Sequence, residues 1–303
     1  NIITHWKSWA GSKTYNEIIF KPLPKTYSSD FDITTGDTSL NLWMGFSIKP
    51  KQGKCGLIMW HIYKVWCNGN DELYRYVIHW LARMVQYPDQ RAETAIMLRS
   101  GEGTGKNIII DIISKIFGPH GCTITNTEHL AGRFNSHLGT SVFVFANEAS
   151  WGGEKSKTGN LKALITDEKL TIEEKYKDVI EVDNHIHLIM ATNNDWAIPA
   201  GMDDRRYLVL DVSEEKKGNY TYFDQLRYEI QNGGDQAFLY DLMETDLTNF
   251  EHRVIPENQG ESKLQDQLNT AGSLPQWWYD ALNSPTSNTV GTPSRMQESE
   301  WTL

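Results

Sequence analysis

The segment from Ser100 to Asn107 combines the residue types that bind phosphate groups. It contains Gly101, Gly103 and Gly105, and Lys106 follows the last glycine. Glycines let the backbone turn its N–H groups towards one point, and a lysine beside them can reach the outer phosphates of a nucleotide. The segment therefore predicts a phosphate-binding loop. The alternative is an ordinary glycine-rich turn between a strand and a helix, with its lysine on the surface.

The flanking sequence predicts the strand and the helix that such a loop needs. The apolar run Ala95–Leu98 indicates a strand, and Asn107–Phe117 indicates a helix that ends at Gly118. The N-terminus of that helix adds partial positive charge to the loop. We therefore expect Thr104 and Asn107 to join the glycines and the lysine in contacting a nucleotide.

A second candidate site lies at the end of another strand. Residues 141–148 form a strand of the buried type, apolar from Val142 to Ala146, that ends in Asn147 and Glu148. In P-loop ATPases a strand beside the loop ends in two acidic residues, of which one holds Mg²⁺ and the next orients the attacking water. We therefore expect Glu148 to activate water. The alternative is a strand that ends on a carboxylate without any function.

The predicted magnesium site is unusual because its two protein ligands are amides. Asn107 follows the lysine where a serine or threonine usually holds Mg²⁺, and Asn147 stands where an aspartate is usual. Ser100 is a further departure, since the first position of such loops is commonly glycine. An amide oxygen can bind Mg²⁺ or its water, but it brings no charge. Weak metal binding or slow turnover is therefore an open alternative.

A third polar group is predicted at the end of a central strand next to the acidic strand. Asn193 follows the apolar run of a strand predicted over Asn184–Met190. From there its side chain could hydrogen-bond the attacking water or the γ-phosphate. The same strand is predicted to pair with Thr171–Lys177 in a hairpin connected by residues 178–183.

Two adjacent arginines begin the next predicted strand. Arg205 and Arg206 precede the apolar run 207–212. One of them could face the nucleotide of a neighbouring subunit and stabilise charge on the transferred phosphoryl group. The alternative is a pair of surface salt bridges to Asp203 and Asp204.

Composition limits the classes of function. The chain has 303 residues, 39% of them hydrophobic, so it can bury a sizeable core. No apolar run approaches the roughly 20 residues that cross a bilayer. The three cysteines, Cys55, Cys67 and Cys122, are odd in number and lack the spacing of a metal site, and this favours a reducing cytoplasm. The formal net charge of −10 argues against a surface that is basic all over, so contact with nucleic acid must be local. Because the sequence starts at Asn1, we expect a longer natural polypeptide.

Four features follow one another along the chain: residues 101–106, 147–148, 191–193 and 204–206. This ordered set resembles the superfamily 3 helicases, in particular the bacteriophage primase-helicases, the related poxvirus proteins, and phage primase-polymerases with a C-terminal helicase module. The likeness extends upstream to residues 41–46 and downstream to about Val212. It implies an α/β fold with an AAA+-type P-loop ATPase core.

The resemblance also implies roles for individual residues. Lys106 would bind phosphate, Glu148 would activate water and Asn193 would act as the sensor. Arg205 or Arg206 would act across a subunit boundary. Lys175 or Lys177, on the hairpin before the sensor strand, would touch DNA in a central channel; the alternative for these two lysines is a solvated charged strand.

Helicases of this kind form rings, usually hexamers, that move along single-stranded DNA and use ATP with Mg²⁺. We therefore expect an ATP-dependent DNA helicase module of a phage replication protein, located in the host cytoplasm, without membrane attachment, and linked to an N-terminal primase-polymerase domain. The uncharged pair Asn107 and Asn147 supports a second hypothesis, a ring that hydrolyses nucleotide poorly and serves as a DNA clamp or scaffold. A third hypothesis is a similar ATPase that acts on another substrate, such as protein.

The sequence predicts four parts. They are a helical and irregular N-terminal subdomain (1–93), the ATPase core (94–213), a small C-terminal helical segment (214–282) and a flexible tail (283–303). The clearest N-terminal helix covers residues 70–86, with an apolar face and Asn70 or Asp71 as its cap. Two short helices, 222–231 and 235–243, are expected to close the core. Trp277 and Trp278 are expected to pack against a neighbour, the alternative being stacking on bases.

Overall fold

The computed structural model describes residues 15–23, 39–126, 129–130, 132, 134–147, 155–193 and 205–256. This part of the chain contains the strands β1 (Glu17–Ile19), β2 (Ser39–Asn41), β3 (Ala95–Arg99), β4 (Gly121–Ile124), β5 (Phe143–Asn147), β6 (Lys169–Ile172), β7 (Ile180–Asp183), β8 (His187–Thr192) and β9 (Tyr207–Asp211). Its α-helices are α1 (Gly56–His61), α2 (Asp71–Gln86), α3 (Lys106–Phe117), α4 (Lys155–Thr166), α5 (Tyr220–Glu229) and α6 (Asp235–Glu244). Short π-helical turns extend α1 over Ile62–Trp66 and join α5 to α6 over Ile230–Gly234.

Five parallel strands form the central sheet in the order β4-β5-β8-β3-β9. Strand β8 pairs with β3 on one side and with β5 on the other. The strand that ends at Asn147 is therefore one strand removed from β3 and not directly beside it. The predicted position of Asn193, after a central strand next to β5, is confirmed. Because parallel strands end at the same edge of a sheet, the three predicted polar groups follow the same edge of three neighbouring strands.

Helices cover both faces of this sheet, which explains why its strands are apolar without alternation. All six residues of β8 are buried. Alternate residues belong to two separate hydrophobic clusters: Ile96, Leu98, Ile189 and Ala191 face one, and Ala95, Met97, Leu188 and Met190 face the other. The first cluster contains side chains of α1, α2, α3, α5 and α6, and the second contains side chains of α4.

Helix α2 confirms the predicted N-terminal helix and its cap. The Asn70 side chain accepts hydrogen bonds from the backbone N–H groups of Glu72 and Leu73, which satisfies two donors that have no partner inside the helix. The face that includes Tyr76, Trp80 and Met84 is buried in the first cluster, as its spacing predicts.

The predicted hairpin has a different register. Strand β6 (Lys169–Ile172) pairs antiparallel with β7 (Ile180–Asp183), whereas the second predicted strand belongs to the central sheet as β8. The Asn184 side chain separates the two, because its amide donates to the carbonyls of Leu164 and Asp167 and its oxygen accepts from Ile186 N–H. Residues 175–177 consequently form the turn of the hairpin and not one of its strands.

The two short C-terminal helices are confirmed as α5 and α6, and α5 is tied to the N-terminal part of the chain. The Glu229 carboxylate accepts hydrogen bonds from Leu57 N–H and Ile58 N–H at 3.0 Å, so a residue at the end of α5 caps the start of α1. Trp277, Trp278 and the predicted tail lie outside the described residues. Within the ranges that the structure describes, none of the helices has the length and apolar character needed to cross a membrane.

Candidate phosphate-binding site

The glycine-rich loop connects β3 to α3, as predicted. Gly103 and Gly105 have φ angles of 76° and 90°, in the left-handed region that favours glycine. A Cβ atom on Gly105 would lie 2.6 Å from Phe223 Cε1 and 2.9 Å from His61 Cε1. Gly105 is therefore required both by its backbone conformation and by the close approach of two aromatic rings.

Helix α3 begins directly after this turn and directs its N-terminus at the site. Gly105 occupies the cap position without a side chain that could satisfy the first N–H groups of the helix. Those N–H groups and the helix dipole favour an anion at this end. The helix is anchored by buried isoleucines that recur at helical spacing: Ile109, Ile112, Ile113 and Ile116.

Lys106 is the first residue of α3 and is 9% exposed. Its ammonium donates to the carbonyl of Ser100 at 3.3 Å and also to Asn193 Oδ1. This contact joins the loop to the residue that follows β8. The lysine and the predicted sensor, which are 87 positions apart in sequence, are therefore neighbours in space.

A pocket of about 490 Å³ lies in front of the loop. Except for Gly101, its walls include all the described residues that the sequence predicts for the phosphate, magnesium and sensor sites, namely Gly103, Thr104, Gly105, Lys106, Asn107, Asn147 and Asn193. A volume of this size falls within the range of about 300–1,000 Å³ that is usual for small-molecule sites. Gly101 lies beside the pocket, where its hydrogen faces Glu214 and Lys217.

The other predicted residues that the structure describes do not line this pocket. Glu148 is outside the described residues. Arg205 and Arg206 precede β9, at the edge of the sheet opposite to the loop, and Arg206 O accepts a hydrogen bond from Ala95 N–H at the start of β3. Lys175 and Lys177 occupy the turn between β6 and β7. The structure therefore brings the predicted phosphate and sensor residues together in one pocket, but not these four basic residues.

Sequence reasoning missed one wall of the pocket. Lys217, Tyr220, Phe223 and Arg227 line it from α5 and from the loop before α5. The last three recur at positions i, i+3 and i+7, a spacing that puts them on one face of a helix. That spacing was available in the sequence, but no local pattern indicated that the face would turn towards the loop.

His61, at the end of α1, is buried behind the loop and contacts the carbonyl of Gly105. Its Nε2 lies 3.1 Å from the Gly105 carbonyl, and its Nδ1 lies 2.8 Å from the Tyr222 hydroxyl. Since a carbonyl only accepts, Nε2 carries the proton and donates, and Tyr222 donates to Nδ1. Burial lowers the pKa of His61 to about 4, so the ring is neutral at pH 7.

The donor chemistry of the pocket suits a magnesium ion that is shared with phosphate groups. Asn107 and Asn147 both line the pocket, and their amide oxygens are hard donors of the kind that Mg²⁺ accepts. Among the described residues no three His, Cys, Asp or Glu side chains cluster as a metal cage. This is compatible with Mg²⁺, which usually keeps several waters and binds through few protein ligands together with substrate phosphates.

The stretch that contains the predicted motifs is similar to known proteins. Residues 98–206 match a family of unknown function, DUF5906, and this stretch contains all four predicted motifs. The chain is 30% identical over 161 residues to a DNA primase-polymerase of Nitratiruptor phage NrS-1. That match covers 52% of this chain and 22% of the relative, so the chain corresponds to a small part of that protein.

Solved structures of the NrS-1 C-terminal region have the same fold. One apo structure superimposes with a TM-score of 0.70 at 24% identity, covering 88% of this chain and 63% of that one. An A-form apo structure gives a TM-score of 0.71 at 21% identity, with 97% and 72% covered. The chain is thus a mixed α/β protein with a parallel sheet, homologous to part of a phage DNA primase-polymerase and similar in fold to its C-terminal region.

Proposed function

We propose that this chain is the ATP-hydrolysing helicase module of a phage replication protein, with an AAA+-type P-loop core like that of the superfamily 3 helicases. The observation that carries the proposal is the contact between Lys106 and Asn193 in front of the glycine-rich loop. A buried lysine, a helix N-terminus and a sensor amide around one pocket suit the γ-phosphate of a nucleoside triphosphate.

Each group has a defined task in this proposal. The loop amides and Lys106 bind the β- and γ-phosphates and offset the negative charge that spreads over the transferred group. Asn193 detects the γ-phosphate through its amide, and Glu148 orients the attacking water. Asn107 and Asn147 would hold Mg²⁺, which when bound would neutralise phosphate charge.

The β6–β7 hairpin is the proposed contact with single-stranded DNA. Its turn carries Lys175 and Lys177 on either side of Tyr176, which is 93% exposed and has a φ angle of 68°. Proteins that bind single strands without sequence preference combine basic side chains, which contact the phosphates, with exposed aromatic rings, on which the bases stack. A contact confined to this turn agrees with a chain whose net charge is −10.

A ring assembly would complete the site. In a ring of identical subunits, the far edge of the sheet in one copy can face the nucleotide pocket of the next. Arg205 and Arg206 would then act on the neighbouring nucleotide. We also propose linkage to a primase-polymerase domain, because the chain is similar to the C-terminal region of a phage DNA primase-polymerase. We propose a hexamer because the helicases that the motifs resemble usually form one.

ATP hydrolysis with and without single-stranded DNA tests this function. We expect DNA to stimulate hydrolysis, and Lys106→Ala and Glu148→Gln each to lower it on the order of 100-fold, because each removes a group that acts on the transferred phosphoryl group or the water. Lys51→Ala is the matched control, since Lys51 is exposed and lies outside the pocket. Hydrolysis that persists in both variants would refute the proposed site.

The uncharged magnesium ligands support one competing function, a nucleotide-stabilised ring that acts as a DNA clamp or scaffold. Asn107→Ser and Asn147→Asp separate the two functions, because they restore a hydroxyl and a carboxylate at the metal. A parent protein that binds ATP, assembles and binds DNA without hydrolysis, together with a double variant that hydrolyses ATP, would favour the scaffold. Hydrolysis that is indifferent to DNA would instead indicate another substrate.

A further inference from the structure

Helix α5 extends the pocket beyond the phosphate loop. Tyr220, Phe223 and Arg227 line the pocket from one face of this helix, and Ile108 and Asp111 of α3 line it as well. Phe223 is 8% exposed and packs against Gly105, so it borders the phosphate end. The pocket is therefore larger than a phosphate site requires, and its additional wall is aromatic.

Tyr220 differs from its neighbour in the same wall. It is 80% exposed, although it begins a helix whose next aromatic residues, Tyr222 and Phe223, are 8% exposed each. An exposed aromatic ring beside a pocket offers its flat face to a ligand, and every nucleobase has a π-face that can stack on it. Two cations, Lys217 and Arg227, line the same pocket, and each pairs with a carboxylate three positions earlier in the sequence, at 3.1 and 3.0 Å.

We infer that α5 forms the nucleoside end of the pocket and that Tyr220 stacks on the base of the bound nucleotide. The ligand is then a whole nucleoside triphosphate, whose phosphates meet the glycine-rich loop while its base meets α5. This inference rests on the proposed nucleotide site and adds to it the residue that holds the base.

Helix α5 also provides a matched control. Tyr228 is 70% exposed on the same helix but lines a different groove, together with Lys54 and Leu57. Tyr220→Ala and Tyr228→Ala therefore remove the same exposed ring from the two sides of α5. Tyr220→Ala leaves the cap of the helix intact, since Asn219 supplies the side chain that accepts from Tyr222 N–H.

The experiment measures the dissociation constants of ATP and of inorganic tripolyphosphate by calorimetry, at one Mg²⁺ concentration. We expect Tyr220→Ala to weaken ATP binding roughly tenfold, the range found for base–aromatic stacking, and to leave tripolyphosphate binding unchanged. Tyr220→Phe keeps the ring and should bind ATP within about twofold of the parent. Tyr228→Ala should bind both ligands like the parent.

The outcomes separate the two proposals. If Lys106→Ala weakens both ligands while Tyr220→Ala binds ATP as tightly as the parent, the phosphate site stands and the base contact is refuted. If Tyr220→Ala weakens tripolyphosphate as much as ATP, the tyrosine acts on the loop and the base contact is again refuted. If the parent binds neither ligand, the proposed nucleotide site itself is wrong. Circular dichroism and melting curves verify that each variant is folded.

Discussion

Replacing His61 tests how the phosphate loop is held in place. His61 is 0% exposed, and its two ring nitrogens contact Gly105 O and the Tyr222 hydroxyl. His61→Phe keeps an aromatic ring but removes both hydrogen bonds; Gly105 O still accepts from Ile108 N–H, whereas the buried Tyr222 hydroxyl loses this partner. At about 1–3 kcal/mol for a buried hydroxyl left unsatisfied, we expect the free energy of unfolding to fall by about 1–3 kcal/mol.

His61→Gln is the matched rescue. Its amide N–H can donate to Gly105 O and its oxygen can accept from Tyr222, so it reproduces the neutral imidazole without a group that titrates. We expect this variant to retain most of the stability of the parent at pH 7.5 and to bind tripolyphosphate with similar affinity. His61→Phe should bind it more weakly, because the Gly105 peptide then loses one of its two hydrogen bonds.

The low pKa of His61 predicts that the stability of the parent protein depends on pH. The pKa of His61 lies near 4 in the fold against 6.5 for a solvated histidine, so below pH 6.5 the unfolded chain takes up a proton that the folded chain refuses. The stabilising contribution is complete above pH 6.5 and is lost as the pH falls towards 4. Between pH 7.5 and 5.5 linkage gives a loss of about 1.3 kcal/mol from this residue.

Urea unfolding of the parent and of His61→Gln at these two pH values measures that loss. The other buried histidines, such as His187, contribute equally to both proteins, so the difference between the two pH effects isolates His61. A smaller pH effect in His61→Gln, by about 1 kcal/mol, supports the neutral, loop-holding histidine. Equal pH effects in the two proteins would refute it.

Three further predictions concern other parts of the molecule. Gly105→Ala should abolish tripolyphosphate binding and lower the free energy of unfolding by more than about 2 kcal/mol, whereas Gly233→Ala, which has a similar φ but room for a Cβ, should cost about 1 kcal/mol in urea unfolding. The hydrogen bond with Arg253 lowers the pKa of Glu93 to about 2. Above pH 4.5, Glu93→Gln should therefore lower the free energy of unfolding by about 1–2 kcal/mol, a value reduced because Arg253 is exposed to solvent. This loss should vanish as the pH falls to about 2. Replacing Lys175 and Lys177 by alanine should weaken single-stranded DNA binding and lower the slope of log affinity against log salt concentration by about 1 to 2, as measured by fluorescence anisotropy at several salt concentrations. Lys169→Ala, on the same hairpin but away from its turn, should bind like the parent. An equal effect of this control would contradict the proposed contact.

Local sequence patterns predicted the elements that need only their neighbours in the chain. The glycine spacing and the isoleucine run predicted the loop and α3, and Asn70 predicted the start of α2, because turns, caps and helical faces are decided within a few residues. Asn193 was predicted to follow a central strand, since a continuous apolar run indicates a strand that is covered on both faces.

Long-range packing accounts for what the sequence did not predict. The predicted hairpin joined β6 to β8, because both runs look like strands and no local signal says that Asn184 turns the chain away. The wall formed by α5 depends on contacts between residues 105 and 223, which are far apart in the sequence. Such contacts depend on how the whole sheet and its helices fit together, so a pattern within one segment does not reveal them.

The carboxylate of Glu229 connects α5 to α1, and α1 in turn contacts the glycine-rich loop. It caps the start of α1, and His61 at the end of α1 reaches Gly105, while Tyr222 connects α5 directly to His61. Helix α5 therefore cannot move away from the pocket without breaking one of these contacts. We expect a ligand that engages either the loop or α5 to slow amide hydrogen exchange at the first turn of α1, because Glu229 joins this turn to α5 and His61 joins the same helix to the loop.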